Sequence, residues 1–268
     1  MARSQIALAE PPSGQDIGYL HSVFCQVGLP RRRFSGREFT RHSGVAWMVI
    51  QAGYLDEGSG RVERDVPHGV MPRLLLAWIC DRVKRGGSLE LELGGSPREL
   101  LRQLGLDGQA ARYAALRDGL HDLAAARFQL GFRGQTLNTQ AVHRLHAWGA
   151  PGGARLMVSQ DFALDLRQHA VPLDRRALAM LTGSALALDL YTWLAQRLCR
   201  LDAALPMSWA RLHAQLGQEY QGARAAHDFS GRVLDVLPQV LLAYPGARVF
   251  VGAGGLHLLP SAPPVERR

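Results

Sequence analysis

Ser96-Pro-Arg-Glu-Leu-Leu-Arg-Gln-Leu-Gly105 and Ser208-Trp-Ala-Arg-Leu-His-Ala-Gln-Leu-Gly217 are one phrase written twice. Serine to serine and glycine to glycine are both shifted by 112 residues, and a preceding tryptophan, Trp78 or Trp193, by 115. Each serine suits a helix N-cap, where its hydroxyl accepts from the first turn, and each glycine suits a helix stop. In the first copy Pro97 fits the first helical position and Glu99 completes a capping box. A repeat at this spacing decides the fold before any single motif does.

Upstream of the first phrase, the spacing predicts a helix over Pro72–Arg85 carrying apolar Leu74, Leu75, Trp78 and Ile79. Alternation over Ser88–Leu93 predicts a half-buried strand. Downstream, the turn Leu106-Asp-Gly108 leads into a longer helix over Gln109–Ala126. Phe128, Leu130 and Phe132, then Thr136–Val142, read as a β-hairpin turning at Arg133-Gly-Gln135. Helix, strand, short helix, turn, longer helix and hairpin is the order of a winged helix, whose hairpin is the wing.

The second copy reads as helix Arg175–Leu201, short helix Trp209–Leu216, helix Ala225–Ala243 and a glycine-interrupted hairpin, Arg248–Leu259. Before both copies, residues 1–15 read as a loose leader, Asp16–Gly28 as a short helix and Trp47–Gln51 as a strand. The expected fold is α+β, mainly α, with two tandem winged-helix domains (helix-turn-helix plus β-hairpin wing) over 66–150 and 151–268. They part at Ala147–Gly153. Residues 1–65 form a leader and strand segment packing on the first domain.

A chain of 268 residues suits about two domains, and an apolar share of 47% is ample for packed cores. The formal net charge of +8 and a pI near 10.1 suit a polyanionic partner. No stretch approaches the roughly 20 apolar residues of a membrane span, and the N-terminus has no apolar signal core, so a cytoplasmic protein without membrane contact is expected. Cys25, Cys80 and Cys199 are odd in number and widely spaced, as reduced core thiols are.

Enzyme chemistry finds no footing. The lone lysine, Lys84, is followed by Arg85, which rules out a phosphate loop ending Gly-Lys-Ser/Thr. Also missing are His-x-His, Gly-x-Ser-x-Gly and Cys-x-x-Cys. Asp56-Glu57 and the Glu90/Glu92 pair sit where solvation explains them. His143 and His146 have metal-ligand spacing but no third ligand in matching context, so structural histidines are expected. The expectation is therefore no enzyme, no catalytic residue, no metal and no cofactor.

Leu29-Pro-Arg31, Pro72-Arg-Leu-Leu-Leu-Ala-Trp78, Leu188-Asp-Leu-Tyr-Thr-Trp-Leu194, Ser208-Trp209 and Tyr244-Pro-Gly-Ala-Arg248…Leu259-Pro-Ser261 follow one another in order. In that order they resemble bacterial plasmid replication initiators of the Rep type, over roughly Cys25 to Pro264. The resemblance implies a protein that binds repeated duplex sequences (iterons) at a plasmid origin and helps recruit host replication initiation or helicase-loading proteins, doing no covalent chemistry itself. A homodimer is admitted. Two positions depart from the family pattern. Gly119 lies mid-way along the first recognition helix, where relatives usually carry a polar residue, and Pro238 lies within the second. Both bear on base-reading geometry rather than on the fold.

With Leu116, Leu120 and Leu123 inward, helical rotation places Ala110, Ala114, Arg117, Asp118 and His121 outward. Arg117 suits a bidentate guanine contact, and Arg112, near the helix start, suits phosphate. In the second copy Phe229, Val233, Val236 and Val240 point inward, which leaves Asp228, Arg232, Asp235 and Gln239 outward. Arg224 and His227 stand just before them. Arg232 and Gln239 have the chemistry for base edges. Arg133, at the first wing tip, suits phosphate or the minor groove, and Arg31, Arg32 and Arg33 suit a phosphate-gripping arm. Two alternatives use the same scaffold: a winged-helix transcriptional repressor, or a tandem winged-helix protein-interaction adaptor. The basic charge weighs against the adaptor.

Overall fold

The computed structural model describes residues 8, 10–56, 60–146, 148 and 153–266. Most of the leader expected over 1–15, most of the segment 147–153, and Glu57 lie outside the described residues. The chain opens with β1 (Ile17–His21) and a short α1 (Ser22–Gln26), where one helix had been expected. β1 is a strand because it pairs with a segment some 150 residues away, which no local pattern announces. Next come two hairpins, β2 (Glu38–Ser43) with β3 (Ala46–Gln51) and β4 (Tyr54–Asp56) with β5 (Arg61–Glu63).

The first copy follows as α2 (Val70–Gly86), β6 (Glu90–Glu92), α3 (Pro97–Gln103), α4 (Ala110–Ala125), β7 (Arg127–Phe132), β8 (Gln135–Thr139), β9 (Arg144–His146) and β10 (Arg155–Met157). α5 (Gln160–His169), β11 (Ala170–Asp174), which is the partner of β1, and α6 (Arg175–Met180) lead to the second. That copy consists of α7 (Ala185–Arg197), β12 (Leu205–Ser208), α8 (Trp209–Leu216), α9 (Ala225–Ala243), β13 (Val249–Gly252) and β14 (Gly255–Leu258). The single helix expected over Arg175–Leu201 is two, because Ser184 caps a new start by accepting from the amide of Ala187 at 3.2 Å.

The repeat is legible in three dimensions. Ser96 accepts from the amide of Glu99 and Ser208 from that of Arg211, both at 3.3 Å. The glycines match in sequence but serve different needs. Gly105 adopts φ +75°, a left-handed stop. Gly217 has φ −106° and is small because a Cβ there would lie 2.8 Å from the Phe229 ring.

Each copy also builds a three-stranded antiparallel sheet in the same order, β6-β10-β9 and β12-β14-β13. This corrects the placement of the first hairpin. β7 and β8, expected as the first wing, instead extend the N-terminal hairpin into the sheet β2-β3-β7-β8, with Ala46 opposite Phe132. The hairpin in the position of β13–β14 is β9–β10, so the first copy's sheet draws in Arg155–Met157, beyond the boundary expected at 150/151.

One hydrophobic core runs through both copies, with Leu75, Phe128, Phe162, Trp193 and Phe229 all buried. It is crossed by charge. Asp189 on α7 receives Arg73 of α2 at 2.7 and 2.9 Å and Arg31 at 3.0 Å. Glu219, just after α8, receives Arg31 and Arg41 of β2, each at 2.8 Å. The guanidiniums of Arg31 and Arg73 donate further to the carbonyls of Leu216, Leu29 and Gly69. Gly28 lies so close that a Cβ on it would sit 2.6 Å from the Asp189 carboxylate. Burial pushes the Asp189 pKa up, but Arg73, Arg31 and Arg41 outweigh it and hold the carboxyl below its usual range.

Asp189→Ala leaves Arg31 and Arg73 short of a carboxylate in a buried site and should cost about 3–5 kcal/mol in urea denaturation. Because the folded pKa is lowered, Asp189's stabilisation is complete above the unfolded value of about 3.9 and is lost as pH falls through the folded value. Unfolding measured between about pH 2 and 6 should therefore lose part of its slope in Asp189→Asn. An unchanged slope would show that the carboxyl is not held low.

Candidate nucleic-acid interface

α4 lies across α2 with Leu116, Leu120 and Leu123 buried, as the periodicity required. Its outward face presents Ala110, Ala114 and Arg117, whose side chain is 67% exposed and stands 3.4 Å from Asp118. Arg112 is half-buried and pairs with Asp107 at 2.7 Å. His121, expected outward, is buried. The C-terminal half of α4 is flanked by β4 and β9, and Arg64, one residue past β5, reaches Asp122 at 3.1 Å and Asp118 at 3.6 Å. Burial raises the Asp122 pKa in spite of Arg64. Helical rotation alone could not show this cover. Gly119 faces inward too, since a Cβ on it would lie 3.2 Å from Met71 Cγ. It serves the packing of α4 on α2 and leaves the outer face untouched.

α9 holds Phe229, Val233 and Val240 buried, with Leu237 in the core and Val236 half-buried. Arg224, His227, Asp228, Arg232 and Asp235 are exposed, and Arg232 stands 3.6 Å from Asp235 one turn on. Gln239 is exposed, yet its amide donates to the carbonyl of Met180 at the end of α6 at 3.1 Å. That bond ties it to the protein. The helix runs unbroken through Pro238, which is exposed. The ring therefore points into solvent rather than into a neighbouring element.

Arg133 sits at the β7–β8 turn with φ +49° and its guanidinium 5.2 Å from the Phe132 ring centre. It is exposed, but on the N-terminal sheet. The expected arm divides. Arg31 is held in the ion cluster with its side chain 9% exposed, which removes it from any phosphate-binding role; Arg33 is exposed and pairs with Asp65 at 2.8 Å; Arg32 is exposed. A run of like charges carries no record of which member the fold will draw inside. The residues missed in the sequence are Arg144, exposed on β9, and Arg155 of β10, paired with Glu90 at 3.0 Å. Matching the hairpin to the sheet order of the second copy would have found them.

His143 is exposed and His146 half-buried, and neither joins a ligand cluster. Among the described residues one group could gather around a metal ion: His21, Asp165 and His169. His21 Nδ1 accepts from the amide of Val23 at 3.2 Å, so its proton sits on Nε2 and goes to Asp165 at 2.5 Å. A metal-bound imidazole normally donates from its second nitrogen, and here that nitrogen faces another donor. The group is a hydrogen-bonded tie between β1 and α5. The bond from His21 holds the Asp165 pKa low.

Residues 66–211, more than half of the chain, match the family model described as "Plasmid encoded RepA protein". No curated protein sequence matches the chain. The fold is similar to that of domains 2 and 3 of RctB. One such structure has a TM-score of 0.56 at 13% identity and covers 91% of this chain and 99% of that one. A second has a TM-score of 0.54 at 14% identity and covers 88% and 94%. At such identities the likeness is one of fold.

Pro238 deprives the Leu234 carbonyl of its helical donor at a solvent-facing position. Pro238→Ala should raise stability by about 1–3 kcal/mol in chemical denaturation, with Gln239 still bonded to Met180. A destabilised variant would mean that the ring is packed and not solvated.

Proposed function

We propose, from the premise that this chain belongs to the plasmid encoded RepA protein family, that it initiates plasmid replication by gripping repeated duplex sequences at the origin. Each copy is a winged helix in this reading, with α3–α4 and α8–α9 as the helix-turn-helix units and β9–β10 and β13–β14 as the wings. What carries the reading is the doubling itself: the same serine caps, the same strand between the first two helices and the same sheet order on one hydrophobic core. Two recognition helices on one chain suit successive major grooves on one face of the duplex, about 10 base pairs apart.

Arg117 and Arg232 are the base readers in this proposal. Each is exposed and weakly held by a neighbouring acid, Asp118 or Asp235, which a guanine edge can replace. Arg112, Arg32, Arg33, Arg144 and Arg224 supply phosphate contacts, and the net charge of +8 supplies the long-range attraction. The action is binding alone, with no covalent step, and recruitment of host replication proteins falls to surfaces outside α4 and α9.

Raising salt from roughly 50 to 200 mM should weaken duplex binding about a thousandfold, and one chain should protect about two helical turns in a footprint. Arg117→Ala and Arg232→Ala should each cost about 1–3 kcal/mol on origin repeats and much less on random duplex. Equal losses on both DNAs would demote these arginines to phosphate contacts. Salt-independent binding would remove the initiator reading altogether.

A further inference from the structure

Where the first copy meets α6, the surface is notched. The notch is a cleft of about 390 Å³ walled by β1, α2, the end of α3 and α6. Two glycines set its walls. A Cβ on Gly105 would lie 2.8 Å from that of Ala179, and one on Gly18 would lie 2.8 Å from Cγ of Arg175, whose side chain crosses β1 there. The floor is apolar, with Leu74, Ala77, Trp78 and Leu178.

The rim holds donors that the fold leaves unused. Arg102 on α3 is exposed, and its guanidinium has no partner among the described residues. Gln103 Oε1 accepts from Trp78 at 3.0 Å and from Arg82 at 2.8 Å, which leaves the amide NH2 without a partner among the described residues. Arg175, the first residue of α6, reaches the carbonyl of Gln103 only at 3.3 Å, that of Gln15 at 3.4 Å and Asp81 at 3.9 Å. The two carboxylates of the cleft are engaged. Asp81 is held by Arg85 at 2.6 Å, and Asp16 accepts the amide and hydroxyl of Ser13 through Oδ2.

Guanidiniums with spare donors above an apolar floor suit a ligand with phosphates at one end and a flat ring at the other. We propose that this cleft binds a nucleoside polyphosphate, with its phosphates on Arg102 and Arg175, its base on the floor beside Trp78 and its ribose hydroxyls toward Oδ1 of Asp16. Duplex DNA carries the same phosphates, but on a convex backbone whose bases are paired and cannot enter a cleft. None of the residues assigned above to the duplex lines it, and the proposal stands independently of that reading. A bound nucleotide joins α3 of the first copy to the helix that leads into the second.

The full-length chain is titrated by anisotropy with ATP and GTP carrying an N-methylanthraniloyl label, then competed with unlabelled nucleotide or inorganic pyrophosphate. The labelled nucleotide should bind saturably, and unlabelled nucleotide should displace it at least about tenfold better than pyrophosphate, because the base buries the apolar floor. Arg102→Ala and Arg175→Ala should each weaken binding about tenfold or more, and Arg102→Glu should abolish it. Arg102 has no partner to lose, so urea denaturation of Arg102→Ala should match that of the wild type. At constant salt, Arg175→Ala should hold origin-duplex affinity within about twofold. Absence of saturable nucleotide binding overturns the proposal, as does binding indifferent to Arg102→Ala and Arg175→Ala. Pyrophosphate that competes as well as nucleotide reduces the cleft to an anion groove and overturns it too. Duplex that displaces the nucleotide, with equal losses on both ligands in Arg175→Ala, would place the cleft in the duplex interface and equally overturn it. Failure of the wild type to bind duplex would sink the replication reading and leave this one standing.

Discussion

Asp189 is the point on which the rest of the structure turns. It lies on a buried helix of the second copy and takes both prongs of Arg73 from the first copy and Arg31 from the N-terminal segment. Glu219 extends the group to Arg41, so three arginines meet two carboxylates inside the protein. Arg41 is fully buried; its Nη2 lies 2.8 Å from Glu219 out of hydrogen-bond alignment, and its Nε has no hydrogen-bond partner among the described residues. Burial lowers its pKa to about 10, so it still carries charge at neutral pH. Such a group gives little net stability over an apolar core but strongly penalises any arrangement that separates its members. Its consequence is geometric. The two copies and the N-terminal sheet are held in one relation, and α4 and α9 with them.

That relation matters because neither outward helix face is strongly basic on its own. On α4, Arg117 stands beside Asp118; on α9, Arg232 stands beside Asp235. Each arginine is loosely held by a carboxylate that repels phosphate, which in the proposed function favours a specific base edge over indiscriminate backbone contact. The excess positive charge is spread over the surface instead. In the function proposed above, attraction to nucleic acid is a property of the whole chain, and discrimination falls to a few positions fixed by the shared core.

The two copies share some features and differ in others. The serine caps, the strand between the first two helices and the sheet order are retained, because each closes backbone hydrogen bonds that every copy must close. The hairpin β7–β8 occurs in the first copy only and pairs with the N-terminal sheet. The outer sheet faces differ: the first copy carries Glu90 and Glu92 beside Arg144 and Arg155, the second Phe250 opposite His257 and no carboxylate.

Local signals in the chain sufficed for everything that local physics controls. The caps at Ser96 and Ser208, the extents of α8 and α9, and the buried stripes of α4 and α9 follow from hydrogen-bond geometry and helical period within one element. Tertiary structure alone decided matters of partnership between distant segments. It made a strand of Ile17–His21 by pairing it with β11, gave β7–β8 to the N-terminal sheet, covered His121, and turned Gly119 inward. It also took Arg31 out of a basic run and left Arg32 and Arg33 in solvent. A β-strand's alternation records that one face is buried but not against what. An arginine's charge records that it needs an anion but not whether a buried aspartate 158 residues away will supply it.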